Sequence, residues 1–232
     1  MIDLLDPTNV ITRMFNGENY DQLYNYCKDL LKKDPSDMLA LQNISLSLIY
    51  LKNYEEALVY CDKVLEIKPS DTYALKNKIF ALESLKQYHD VLKLCEGILL
   101  TNPKDTWALN TMGISLNELD RHKDALQYYD TSLVIDPNDV TALMNKAISL
   151  SHLGNYHDSI DYYDLAQRVD SSLREIPSAK SKLFEKLNMT DEAFLAAQGV
   201  LNKDMAKIKS DAKENKCSIF HQFCEDEFEN SK

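Results

Sequence analysis

Apolar side chains recur along this chain at intervals of three and four, as in Leu41, Ile44 and Leu48, with the small Ser45 beside them. That is the period of a helix packed on one face and not the period of a strand. The same pattern returns every 34 residues. Met14, Leu48, Leu82, Leu116, Leu150 and Phe184 form one column, Leu23, Ala57, Val91, Ala125, Ser159 and Ala193 a second, and Tyr20, Tyr54, Tyr88, His122 and Tyr156 a third. Each period thus holds two helical stretches. Small residues at Ser45, Gly113 and Ala147 on the first stretch, and at Ala57, Ala125 and Ser159 on the second, permit close approach. The repeating unit is expected to be a helical hairpin.

The joints between units carry their own signal. Pro35-Ser36-Asp37, Pro69-Ser70-Asp71, Pro103-Lys104-Asp105 and Pro137-Asn138-Asp139 stand one period apart. Proline cannot continue the helix before it, and an aspartate two residues on can cap the helix that follows. Cys27, Cys61 and Cys95 are also 34 apart and occupy one equivalent site on successive second helices. Packed helices lie roughly 8–10 Å apart, too far for an unstrained disulfide between equivalent positions, so the three read as reduced packing residues.

Residues 107–137 resemble a tetratricopeptide repeat, with Leu109, Met112, Gly113, Leu116, Ala125, Tyr129 and Pro137 at the offsets of that family's pattern. Residues 140–171 are similar, through Leu143, Ala147, Leu150, Gly154, Tyr156 and Tyr163. The register places repeats at 4–37, 38–71, 72–105, 106–139 and 140–173, with a degenerate sixth at 174–207. The chain departs from the family pattern at its tryptophan, which is leucine at 41, 75, 109 and 143, and at the closing proline, absent at Ser171 and Met205. The resemblance implies an all-α, right-handed superhelical solenoid of antiparallel hairpins over 1–205, followed by a capping helix and acidic tail at 206–232. It also implies a role in protein association, which the family performs in many unrelated settings.

Composition narrows the partners. With 37 acidic against 26 basic residues the formal net charge is −11, which repels a phosphate backbone, so no nucleic-acid partner is expected. The first seven residues lack the positive flank and apolar block of a secretory signal, and the most apolar stretch, 39–51, is too short and too often interrupted to span a bilayer. A cytoplasmic protein with no membrane contact is the expectation. No cofactor is expected either: the five glycines are scattered and form no phosphate-binding loop, and no histidine has a serine or cysteine partner at a recognised spacing. Cys217, His221 and Cys224 offer three zinc ligands without an evident fourth and are read as ordinary tail. The chain is therefore not expected to be an enzyme.

In repeats of this family the first helix of each unit lines the concave groove, so its columns are the ones to inspect. The sixth position of the unit reads Asn9, Asn43, Asn77, Thr111, Asn145. A carboxamide both donates and accepts, so such a row can pair with the backbone of an extended peptide whatever its side chains are. Local helix packing is the alternative use of the same row. Beside it lie Tyr73 and Trp107 in the second column and Phe80 and Ile114 in the ninth, which would supply pockets for ligand side chains. Trp107 either anchors a ligand or closes the core between neighbouring units. Some family members hold the C-terminal carboxylate of chaperones with a lysine and asparagine clamp. Here Lys76 fits its first place, but Phe80, Thr111 and Thr141 break the rest. The reading is thus a non-catalytic module that binds a protein or peptide segment in the groove. A scaffold working through its edges or convex face is the alternative. The tail, with its aromatic segment at residues 219–223, either caps the array or docks in a groove and mediates self-association.

Overall fold

A computed structural model describes residues 6–214 and 218–220, and among them every regular element is helical. The chain divides into two compact units, Met1–Ile98 and Leu99–Lys232. The first contains two hairpins, α1 (Pro7–Asn16) with α2 (Tyr20–Lys33) and α3 (Met38–Tyr50) with α4 (Tyr54–Ile67), then α5 (Thr72–Ser84) and α6 (Tyr88–Thr101), the division falling within α6. The second contains α7 (Thr106–Glu118) with α8 (His122–Ile135), α9 (Val140–His152) with α10 (Tyr156–Val169), α11 (Glu175–Lys186) with the short α12 (Thr190–Ala197), and a last helix, α13 (Asn202–Glu214).

The aspartates of the Pro-x-Asp motifs start the helices expected of them. Asp37, Asp71, Asp105 and Asp139 accept the N–H of Ala40, Ala74, Ala108 and Ala142 at 3.0, 3.1, 3.0 and 3.1 Å. Losing such a cap costs about 1 kcal/mol. Two of these carboxylates do more. Asp71 also accepts from Gln42 of α3 at 3.0 Å, and Asp139 from Asn110 of α7 at 2.6 Å and Ser132 of α8 at 2.8 Å. The group that opens one hairpin therefore fastens the hairpin before it. Burial works against the Asp71 carboxylate, but the Ala74 amide, Lys68 and Gln42 outweigh it and hold its pKa below the usual range.

The turn inside each hairpin keeps the register even where the sequence motifs fade. Glu18, Lys52, Lys86, Asp120, Gly154 and Asn188, each 34 residues from the next, all have left-handed backbone, with φ of 55, 59, 58, 57, 80 and 58°. Only Gly154 adopts that conformation without a Cβ penalty.

In the first unit the core is built on Leu23, Cys27, Leu41, Ile44, Leu48 and Val64. Cys27, Cys61 and Cys95 are fully buried and unbridged. Burial, with Asp37 adding, pushes the Cys27 thiol up to about 12; burial likewise pushes Cys61 up to about 11. In the second unit Leu143, Ile160, Ile176, Phe184, Leu195 and Met205 form the corresponding centre.

The last hairpin is held differently. No side chain caps α11, and Gly199, with φ of 84°, follows the short α12. Lys180, wholly buried, pairs with Asp164 of α10 and donates to the Val200 carbonyl at 2.9 Å, while Asp164 accepts the Asn202 amide at 2.6 Å. This joint lets α13 begin at Asn202, four residues before the expected 206. Met205 and Ala212 bury α13 on the hairpin, Ile219 packs on the same cluster, and Phe220 lies 5.6 Å from Phe194, ring centre to ring centre. Cys217, His221, Cys224 and the acidic end lie outside the described residues.

Candidate peptide-binding surface

The residues proposed for binding stand on the first helices of the hairpins. α3 and α5 pack on one another in the first unit, and α7 and α9 in the second. In the first unit Asn9, Asn43 and Asn77 are half-buried. Asn43 donates from Nδ2 to the Leu39 carbonyl four residues back, at 2.7 Å, and Asn77 donates to Ser45 Oγ of α3 at 3.1 Å. Each bond occupies one of the two amide protons. The second N–H and the carbonyl oxygen's remaining acceptor capacity are what a ligand backbone would use.

Tyr73, Asn77 and Phe80 follow one another at four and three residues on α5 and so share a face. Tyr73 is 74% exposed and Phe80 50%, with Lys76 exposed beside them. An aromatic pair this open, flanking a carboxamide, is surface that the hairpin's own packing does not use. On α3 the matching face contains Leu39, Asn43 and Leu46, and the whole helix has no charged residue. Farther along, Tyr50 stacks on Tyr20 with ring centres 4.4 Å apart and planes within 8°, and Phe15 meets both edge-on.

The second unit treats the same columns otherwise. Thr111 is buried, 5% exposed, so the polar row is interrupted there and its hydroxyl is not offered to a ligand. Trp107 and Ile114 are half-buried on either side of it. At Gly113 a Cβ would lie 2.4 Å from the Tyr129 ring, so glycine lets that ring approach α7. Asn145 is half-buried and donates to the Thr141 carbonyl at 2.9 Å, repeating the Asn43 arrangement.

Beneath the row runs a polar network that the sequence did not announce. Tyr129 Oη accepts from Asn117 at 3.2 Å, and Asn117 Oδ1 accepts from Ser149 at 2.8 Å and faces His122 Nδ1 at 3.0 Å. His122 stacks on His152 with ring centres 4.3 Å apart. Burial, and then His152, hold the His122 pKa below its ordinary value against the pull of Asp120. On the sixth hairpin Ala179 takes the asparagine's place and, with Tyr163, Leu183, Lys182 and Lys186, lines a cavity of about 480 Å³. Among the described residues no three histidine, cysteine or acidic side chains converge as a metal site, and no helix is long and apolar enough to cross a membrane.

Hairpins in 34-residue register, joined by capping aspartates and exposing one face of their first helices, define a helical-repeat protein. The particular family follows from residues 41–162, which match the family model described as "Psidin, N-terminal TPR repeats region" over more than half of the chain. The chain belongs to this tetratricopeptide repeat family, whose members as a class serve protein association. A comparison with curated proteins finds no match. Solved structures share the fold. A tetratricopeptide repeat protein from Parabacteroides merdae superposes with a TM-score of 0.73 at 18% identity, covering 84% of this chain and 77% of that one. MamA from Desulfovibrio magneticus gives 0.65 at 18%, covering 72% and 94%. YrrB, described as a TPR protein with an unusual peptide-binding site, gives 0.56 at 17%, covering 73% and 88%.

Proposed function

We propose that the chain is a non-catalytic module that binds an extended segment of a partner protein on the first helices of its hairpins. The open α5 face carries the reading: Tyr73 and Phe80 stand exposed around Asn77, one repeat from Asn43 and the uncharged face of α3. The aromatic rings would take alternate side chains of the segment while the carboxamides pair with its backbone. In the second unit Asn145 repeats the polar element, and Trp107 and Ile114 contribute their half-exposed surface. Asn9 and Lys76 flank the site in the first unit, and Thr111, being buried, takes no part. Removing an aromatic anchor of this kind weakens binding by about 2 kcal/mol, roughly thirtyfold. The net charge of −11 disfavours nucleic acid, and three buried thiols suit a reducing, cytoplasmic setting.

A second reading has its own observation. Leu100 and Val134, at equivalent sites of α6 and α8, are 85% and 84% exposed. Such apolar side chains suit a scaffold that joins larger assemblies by its second helices. Affinity capture from lysate with quantitative mass spectrometry separates the two. Asn43→Ala, Asn77→Ala and Asn145→Ala together with Tyr73→Ala are expected to lose the captured partners, and Leu100→Ser with Val134→Ser to keep them. The reverse result sinks the groove reading in favour of the scaffold.

A further inference from the structure

A cavity of about 430 Å³ lies between α9 and α10 of the second unit. Lys146 and Leu150 line it from α9, and Asp158, Asp161, Tyr162 and Leu165 from α10. At about 100° per residue, Lys146 and Leu150 stand roughly 150° round α9 from Thr141, Asn145 and Ile148. The cavity therefore belongs to the side of α9 away from the polar row. Leu150 is buried and Leu165 is 38% exposed, so apolar surface runs from the floor to the rim.

Charge sets this hairpin apart from its neighbours. Each second helix from α4 to α10 has an acid at its third residue, namely Glu56, Asp90, Asp124 and Asp158, where the helix N-terminus favours one. The first three are answered locally. Glu56 accepts from Tyr24 at 2.9 Å and Asn53 at 2.8 Å, Asp90 from Lys93 at 2.9 Å, and Asp124 from Arg121 at 2.8 Å. Asp158 makes no hydrogen bond or ion pair among the described residues. Where Lys93 stands on α6, α10 has a second acid, Asp161, which accepts from the Asn202 side chain at 3.3 Å. Two carboxylates three residues apart share a helix face and repel each other. Lys146 does not offset them: its side chain is 12% exposed, and its ammonium is bonded to Asp130 of α8 and to the Tyr162 hydroxyl.

The result is a cleft with an apolar floor and, at its rim, two carboxylates that no cation answers. An ammonium would meet them as a point charge, whereas a guanidinium presents N–H groups along the edges of a plane and can reach both, with its stem on the floor. We propose that this cavity takes an arginine side chain of a partner polypeptide, with the guanidinium between Asp158 and Asp161 and the stem on Leu150 and Leu165. The contact is a second point of attachment, separate from the first-helix face, and it stands whether or not the groove reading does.

Octapeptide libraries with randomised flanks and a fixed central Arg, Lys or citrulline are passed over the immobilised full chain at constant ionic strength. Citrulline keeps the shape of arginine without its charge, and the Lys set controls for general attraction of cations to a chain of net charge −11. The Arg set should be retained about fivefold above the citrulline set and at least about twofold above the Lys set, as suits charge-assisted bonds at a partly exposed site. Asp158→Asn with Asp161→Asn should abolish the preference at unchanged melting temperature, and the Asn43→Ala, Asn77→Ala, Asn145→Ala variant should keep it. In NMR titrations of the full chain, N-acetyl-arginine methylamide should move the amide signals of residues 146–150 and 158–165, and should not do so in the double carboxamide variant. Equal retention of the Arg and citrulline sets, a Lys set held as well as the Arg set, or a preference that survives the double variant overturns the pocket. A preference lost in the triple asparagine variant also overturns it, by moving the arginine to the first-helix face. So does calcium chloride, if at equal ionic strength it moves the same amide signals at lower concentration than the arginine probe, since the carboxylates then form a metal-cation site.

Discussion

Gly113→Ala sets two opposing effects of known size against each other. In an exposed helix interior the change is favourable by about 1 kcal/mol, because alanine restricts the unfolded backbone more than glycine. Here the new Cβ would lie 2.4 and 2.5 Å from Cε1 and Cζ of Tyr129 and 2.9 Å from its oxygen. Carbon contacts are attractive near 3.5–4.0 Å, so the overlap exceeds about 1 Å. The ring has nowhere cheap to go: it is fully buried, and its hydroxyl is tied at 3.2 Å to Asn117, which in turn holds Ser149 of α9. Overpacking costs about 1–3 kcal/mol, and drawing the hydroxyl away from Asn117 about 1 more. The clash wins, and a net loss of about 2 kcal/mol is expected. Urea denaturation followed by circular dichroism measures it, and amide exchange across residues 106–135 locates it. Tyr129→Leu removes the obstacle, so the double variant should be more stable than the sum of the two single changes predicts by at least about 1 kcal/mol. Simple additivity, or an alanine variant as stable as the wild type, would refute the close approach of α7 to the Tyr129 ring.

Three further outcomes are expected. Lys52→Gly and Lys86→Gly relieve left-handed strain of about 1–3 kcal/mol against an unfolded-state entropy cost of about 0.4–1, so each should raise stability by about 0.5–1 kcal/mol, while Gly154→Ala lowers it; chemical denaturation reads both signs. Lys180→Met leaves the Asp164 carboxylate buried without its partner and should cost about 3–5 kcal/mol, with loss of amide protection at Asn202, whereas adding Asp164→Leu should restore most of it. The His122 pKa is lower folded than the ordinary 6.5, so the unfolded chain binds the proton better. Its contribution is fully present above about pH 6.5 and is lost as pH falls through the folded value. The groups facing it are Asn117 and Asp120 on one side and His152 of α9 on the other, with Ser149 of α9 bonded to the same Asn117 oxygen. His152→Gln should flatten this slope in unfolding curves taken from pH 7 to 5, and an unchanged slope would dismiss the pair.

The regular parts of the fold were legible because they are written in local chemistry. Each Pro-x-Asp motif marks a boundary by removing one donor and supplying one acceptor, and the four caps appear where that logic puts them. The sixth hairpin was readable only through its apolar column, with Phe184 in register. Its end was misplaced because a Gly199 turn and the Lys180–Asp164 joint, not a repeat signal, decide where α13 starts. The asparagine columns were visible, but not the state of their side chains: whether Asn43 turns back to the Leu39 carbonyl depends on rotamer, and whether Thr111 is open depends on what packs over α7. Lys180 reads as surface in any pattern of polar positions. Only the convergence of Asp164, Gln167 and the Val200 carbonyl makes its burial sustainable. The α11 cavity escaped for the converse reason, since its lysines break the aromatic and amide columns that drew attention elsewhere.

The capping aspartates also bear on how this gene can change length. Each carboxylate receives the amide of an alanine three residues on, and that alanine recurs at 40, 74, 108 and 142. An in-frame excision of residues 38–71 would bring Asp37 into the same relation to Ala74 that it now has to Ala40. No capping bond would be lost without a replacement, and the reading frame of the architecture would be preserved. Unequal recombination between units can thus shorten or extend the protein in steps of one hairpin, while an excision whose length is not a multiple of 34 would put the remaining caps and helices out of register.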